Sequence, residues 1–432
     1  MIHVESMKSR ARAKSVAKRR RFAGVLALGA MLAAAGCGST VLPTSGPSPS
    51  TAISQPSEPP VLGIDWARAP SVEVPKNFGV DPSDPPITGT HPILRIPGQA
   101  MIADVTPLSG HGYVAVGYVP PDWIPVAWTS PDGLTWSIHL TMGTTDFTFP
   151  VSLAAGLDGT VVAVGRSGPK PAAWTSADGV AWQQHPVPLL EGSDVAERMT
   201  AVVASGHGYV AGGSAGPELF DRHARFWTST DGAEWAPVPD DPVAFANAEV
   251  RAITPLGDGF VAVGVVGEAQ HPSGAVAWTS PDGSKWARVD DPSFVDGIAV
   301  AVVPAPFGGL VAVGADVGRK EAVAWTSPDG RRWTRAPNEP SREHSGGFVW
   351  MTDVAAIGDS VIGIGDYQGL QRGTATSWVS RDGIHWDQAR SAPVQEQGEF
   401  YAIIPGGPGA IAVGSFGAPD SYVPTIWLSP GR

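Results

Sequence analysis

The side chains of this chain that could do chemistry together are acid–arginine and acid–phenol neighbours. They are Glu197-Arg198, Glu249 with Arg251, and Glu399 with Tyr401. A carboxylate beside a guanidinium or phenol can hold a polar ligand through charge-assisted hydrogen bonds. The plainer reading is that such pairs are solvated ions neutralising one another at a wet pore. Asp221, Arg222, His223 and Arg225 make a further polar cluster with the same two readings. Asp240-Asp241 and Asp290-Asp291 carry the oxygen ligands that calcium favours, yet each pair precedes a proline at a matching place and reads as a loop shaper. No phosphate loop, Ser-His-Asp spacing or metal constellation is recognisable, and the ten histidines are scattered, so neither metal nor cofactor is expected. Two aromatics, Trp123 and Trp350, fall outside the repeat described next. With Glu249, Arg251 and Tyr401 they form the candidate ligand-binding set.

The elements that must position these residues come from an internal repeat. The unit Trp-x-Ser-x-Asp-Gly-x-x-Trp occurs at 128–136, 174–182, 227–235, 278–286, 325–333 and 378–386, with a truncated seventh at Trp427. Its serines, 130 to 429, are 46 to 53 residues apart, the length of one four-stranded propeller blade. Each unit begins with an apolar segment such as Ala299-Val300-Ala301-Val302. A second strand follows on the theme Val-Ala-Val-Gly, as at 114–117, 162–165, 261–264 and 311–314. Runs apolar on both faces are strands sandwiched between sheets.

In Ser-x-Asp-Gly, Asp can bond its own backbone and Gly accepts positive φ, so the two Trp-bearing strands must be joined by a tight hairpin. Asp132, Asp178, Asp231, Asp282, Asp329 and Asp382 are therefore expected to be structural turn residues. The seventh unit ends at Arg432 without its closing strand. Gly63 to Arg68 matches the closing strand Gly283 to Arg288, so the N-terminal strand is expected to complete the last blade. The prediction is an all-β, seven-bladed propeller of four-stranded antiparallel blades over residues 63–432, a monomeric ring without open edges. Tight hairpins on one face leave the longer loops on the other, where a ligand would sit at the channel mouth. The excursion from Ala69 to Ala100 is expected to cross that face as a lid.

The 432 residues include 53 Gly, 42 Pro and 16 Trp, with 16% charged residues, which suits short strands and tight turns. Residues 37–432 hold 21 Lys+Arg against 40 Asp+Glu, a net charge near −19. Nucleic acid and anionic lipid surfaces are thus disfavoured as partners. Basic residues through Arg21, followed by the apolar run Phe22–Ala35, read as an export signal over residues 1–36 that is too short to span a bilayer. Cys37, the single cysteine, rules out an intramolecular disulfide. Residues 38–62, rich in Ser, Thr and Pro, read as an extended tether.

Leu32-Ala33-Ala34-Ala35-Gly36-Cys37 resembles the lipobox of bacterial lipoproteins, with Ala34 where Leu is commonest. That resemblance implies a lipid on Cys37 and a place on the outer face of the cell membrane; cleavage after an Ala-x-Ala site would instead release a secreted protein. Lys18-Arg19-Arg20-Arg21-Phe22 loosely resembles a twin-arginine signal, so the export route stays open. The Trp-x-Ser-x-Asp-Gly units resemble the Asp-box, or BNR, repeats of sialidases and related propellers, in a variant with Asp and Gly adjacent. Leu94-Arg95-Ile96-Pro97 resembles the Arg-Ile-Pro motif of sialidases, whose arginine grips a substrate carboxylate. The resemblance thus offers Arg95, Arg251, Glu399 and Tyr401 as an alternative catalytic set for an exo-sialidase-like hydrolase with a Tyr nucleophile. The preferred expectation is non-catalytic: a binding or assembly module for a protein or glycan partner at the cell envelope.

Overall fold

The computed structural model describes residues 66–69, 71–73, 100–110, 112–120, 123–140, 142–143, 147–191, 195–216, 222–268, 271–337, 347–369, 372–388, 398–417 and 423–430. The expected signal, the tether with Cys37, the Arg95 motif and Asp221 lie outside them. Seven sheets follow one another in chain order. Their inner strands are Met101–Leu108, Thr148–Ala155, Glu197–Ser205, Ala248–Leu256, Gly297–Pro304, Phe348–Ile357 and Gly398–Gly406 (blades 1 to 7). Each inner strand lies against the next, and the last lies against the first, so the propeller is a closed seven-bladed ring.

Every inner strand bulges once, and this explains the glycine of Val-Ala-Val-Gly. The register slips by one residue at Ala103, Val151, Thr200, Arg251, Val300, Thr352 and Tyr401. Each slip presses a carbonyl of the inner strand onto its neighbour. A Cβ on Gly117, Gly165, Gly213, Gly264, Gly314, Gly365 or Gly414 would stand 1.8–1.9 Å from that oxygen. Only glycine fits.

The Ser-x-Asp-Gly turns are hydrogen-bonded alike. In the first, Ser130 Oγ accepts from Gly133 N at 2.8 Å, Asp132 Oδ1 accepts from Leu134 N at 2.8 Å, and Trp136 Nε1 donates to Gly133 O at 2.8 Å. Gly133 takes φ 79°, and its counterparts in the other five turns are also positive. The aspartates accept backbone N–H bonds, which hold the carboxyls of Asp132, Asp178, Asp231, Asp282 and Asp329 below their usual range; desolvation pushes Asp382 up, but the His385 side chain and the His385 and Ile384 N–H bonds outweigh it and bring that carboxyl down to about 2. The third-strand tryptophans Trp128, Trp174, Trp227, Trp278, Trp325, Trp378 and Trp427 are buried between blades.

Closure is made by the N-terminal segment. Ala67–Arg68 pairs antiparallel with Leu428 and Trp427, in the relation that Ala287 and Arg288 bear to Thr279 and Trp278. Trp66 is buried against Phe400, and because blade 7 has no Asp-Gly turn its Nε1 donates to Ser377 Oγ at 3.0 Å. The chain then continues into blade 1, where Ser71–Val72 adds a fifth, parallel strand beside Thr135 and Trp136. The blades are thus four-stranded and antiparallel apart from this one addition. The described start of the excursion after Ala69 follows the outer edge of blade 1; residues 74–99, on which the expected lid rests, lie outside the described set.

Candidate functional site at the channel mouth

The inner strands begin at the end of the ring opposite the Ser-x-Asp-Gly turns, so their first residues line the mouth. The carbonyls that press on the seven glycines mark one level of it: Met101, Phe149, Arg198, Glu249, Ile298, Trp350 and Glu399. The bulged residues follow two positions on. Side chains at these two levels divide the mouth into arcs of different chemistry.

Blades 3 and 4 form an arginine arc. Glu249 is buried, and three guanidiniums converge on it. Arg222 Nη1 contacts Oε2, Arg198 Nε lies 3.4 Å from Oε1, and Arg251 Nη2 lies 3.4 Å from Oε2. Burial pushes this carboxyl up, but Arg251, Arg198 and Arg222 together outweigh it, so the net shift is downward and Glu249 is ionised. Three cations on one anion leave an excess of positive charge in an otherwise acidic protein. Arg251, whose side chain is 41% exposed, carries it to the open mouth. Beside this group Arg225 bonds Asp240 at 2.7 Å, with its Nε 3.6 Å from the buried carboxylate of Glu197.

Blades 6, 7, 1 and 2 form an aromatic and acidic arc. Tyr401 donates its hydroxyl to Glu399 Oε2 at 2.5 Å and lies 3.3 Å from Ser415 Oγ. Burial first, and then the Glu399 charge, raise the Tyr401 phenol well above its ordinary value, so it stays protonated. Tyr118, Trp123 and Phe149 contact one another with ring centroids 5.3–5.4 Å apart, and the Arg166 guanidinium lies over Phe149 at 4.5 Å. Trp123 is half-buried at φ 58°, its carbonyl accepting from Thr148 N of blade 2 at 3.1 Å. It therefore staples two blades as well as edging the mouth. Trp350 Nε1 donates to Asp366, and its ring meets Phe348 edge-on at 6.0 Å.

The structure thus joins Glu249 to Arg251, and Glu399 to Tyr401. It does not join Arg251 to Tyr401: the three convergent arginines surround Glu249. Of the loop aspartates, Asp241 Oδ1 accepts from Val243 N and Ala244 N at 2.9 Å, and Asp291 accepts from Ser293 N at 2.9 Å and Trp333 N at 3.0 Å. These bonds shape the loops.

Sequence reasoning missed two residues deeper in the channel, Asp104 and Asp353. They occupy the same register, directly after the bulges of blades 1 and 6. A lone acid inside an apolar inner strand was the available signal. It also passed over Tyr118, Phe149 and Arg166, which no spacing distinguishes from core residues.

No protein-family model matches the chain, and no curated protein sequence matches it. Among solved structures, it is similar to a sialidase of Trypanosoma rangeli (13% identity, 68% of this chain and 55% of that one, TM-score 0.45). It is also similar to a periplasmic gluconolactonase of Pseudomonas aeruginosa (11% identity, 77% and 96%, TM-score 0.43). A thermostable family-43 glycoside hydrolase matches at 10% identity over 53% of this chain and 87% of that one, with TM-score 0.35. The chain spans about 55% of the length of the sialidase it matches, and at these identities the likeness is one of fold.

Proposed function

We propose that this protein is an exported, lipid-anchored binding or assembly module that receives a protein or glycan partner at the channel mouth. The observation that carries this reading is that polar groups on both arcs of the mouth are held by neighbouring side chains. Glu249 is held by three arginines, Tyr401 by Glu399, and Trp350 by Asp366. A preformed, internally bonded rim suits recognition, because little ordering entropy is lost on binding. The excess charge at Arg251 favours a partner that presents an anionic group there, with an apolar or sugar face toward Trp350 and Trp123.

The reading is tested with a glycan array and a pull-down from envelope extracts, comparing wild type with Arg251→Ala and Trp350→Ala. Retention by wild type and loss by both variants is expected; undiminished retention by both would remove the mouth as the site. Lipidation is checked by metabolic labelling with a fatty acid, which Cys37→Ser should abolish.

One observation favours a second reading, an exo-sialidase-like hydrolase: the short Tyr401–Glu399 bond is the arrangement a Tyr nucleophile with a carboxylate base needs. The arginines standing on Glu249 and the raised Tyr401 phenol weigh against it. Turnover of a fluorogenic sialoside that Tyr401→Phe abolishes would establish it in place of the first.

A further inference from the structure

The seven inner strands carry, immediately after their bulges, Asp104, Ser152, Ala201, Ala252, Ala301, Asp353 and Ala402. The two aspartates at this level each bridge a blade junction. Asp104 Oδ2 accepts from Leu153 N of blade 2 at 2.7 Å, and Asp353 Oδ2 accepts from Ile403 N of blade 7 at 2.8 Å. Their other oxygens accept from Val105 N and Val354 N in their own strands. Both residues are half-buried. Blade 7, the blade closed by the N-terminal strand, stands between them.

Among the described strands packed against the pair there is no counter-cation. The strands packed most closely against Met101–Leu108 are the second strand of blade 1, the inner strand of blade 2, and the inner, second and third strands of blade 7. Against Phe348–Ile357 lie the second strand of blade 6, the inner strand of blade 7, and the inner, second and third strands of blade 5. Their titratable residues are Tyr113, Tyr118, Glu399, Tyr401, Asp366, Tyr367, Asp316 and Glu321, and not one Lys, Arg or His occurs on any of them. Two carboxylates with no cation on the strands packed against them must either bear a charge that only N–H dipoles offset or take up a proton.

We propose that Asp104 and Asp353 form a proton-operated clamp on the inner strands of blades 2 and 7, tighter in acid than at alkaline pH. With the proton on Oδ1, which weakens the bond from Val105 or Val354 N within its own strand, a neutral carboxyl still accepts the Leu153 or Ile403 N–H through its carbonyl oxygen Oδ2, and it ends the repulsion between the two charges. The energetics agree. Burial pushes the Asp104 carboxyl up to about 6 against the N–H bonds of Leu153 and Val105 and the Ser152 hydroxyl. Burial pushes Asp353 up to about 7, the Ile403 and Val354 N–H bonds opposing and the Asp104 charge adding to the rise. A raised folded pKa gives stability that is complete below the ordinary carboxyl range and is lost as pH climbs through 6 to 7. Ile403 lies two residues from Tyr401, so the clamp also sets how firmly the blade 7 side of the mouth is held.

The test is amide hydrogen exchange at Leu153 and Ile403, normalised to intrinsic rates, at pH 5 and pH 8 in the full exported chain. Wild type should show protection greater at pH 5 by on the order of tenfold, and Asp104→Asn with Asp353→Asn should bring that ratio to about one. If the double variant does not fold, Asp353→Asn alone must flatten the ratio at Ile403. An equal ratio in wild type and variant, or no pH dependence in wild type, overturns the clamp. Loss of the difference on adding calcium chloride at pH 8 would overturn it too, in favour of a metal cation in place of the proton.

Discussion

Replacing Glu249 by Gln removes one negative charge from among three arginines and keeps the side chain's shape. The carboxylate is 2% exposed, so water cannot substitute for it. Breaking a buried ion pair by removing one partner costs about 3–5 kcal/mol, because the surviving charges stay buried and here repel one another. Unfolding entropy of about 2.1 cal/mol/K per residue over roughly 370 residues is about 0.8 kcal/mol/K, so the melting midpoint should fall by about 4–6 °C. Arg251→Ala is the control: its side chain is 41% exposed and makes one ionic contact, so it should cost under about 1 kcal/mol. The pH profile adds a second reading. A carboxyl held below its ordinary range gives stability that is present above that range and lost as pH falls through the folded value, so Glu249→Gln should flatten the acid limb of the curve. Calorimetry from pH 3 to 8 measures both. A midpoint within 1 °C of wild type would mean, at about 0.8 kcal/mol/K, that Glu249 does not hold the arginines, and the account of the arc would be wrong.

Two further substitutions probe the frame beneath the site. Gly414→Ala places a Cβ 1.9 Å from Glu399 O, backbone against backbone, and should cost about 3 kcal/mol or more in urea unfolding; Gly206→Ala, which meets nothing within 4 Å, should be near neutral. Trp66→Ala empties the seam between Phe400 and blade 6 and should cost about 3–5 kcal/mol by the same measurement; a loss below 1 kcal/mol would show that the N-terminal strand does not carry ring closure.

The ring itself was legible in the sequence because its determinants are local and repeated. Ser-x-Asp-Gly closes a hairpin by bonds within four residues, and the orphaned third strand at Trp427 needed the strand that begins at Trp66. The glycine of Val-Ala-Val-Gly was visible as a pattern, but its cause was not: the clash it avoids is with a carbonyl displaced by a bulge in the neighbouring strand. The fifth strand at Ser71–Val72 was likewise hidden, since two residues paired in parallel leave no periodicity to read. At the mouth, sequence offered charges by type and could not choose their partners. Arg198, Arg222 and Arg251 come from an inner strand, a loop and the next inner strand, and only the ring brings them onto Glu249. Asp104 and Asp353 are 249 positions apart, and only the closed channel lets one raise the other. Backbone pattern is written in neighbours along the chain, whereas charge acts through space, so the sequence determined the propeller and the tertiary structure decided which of its side chains act together.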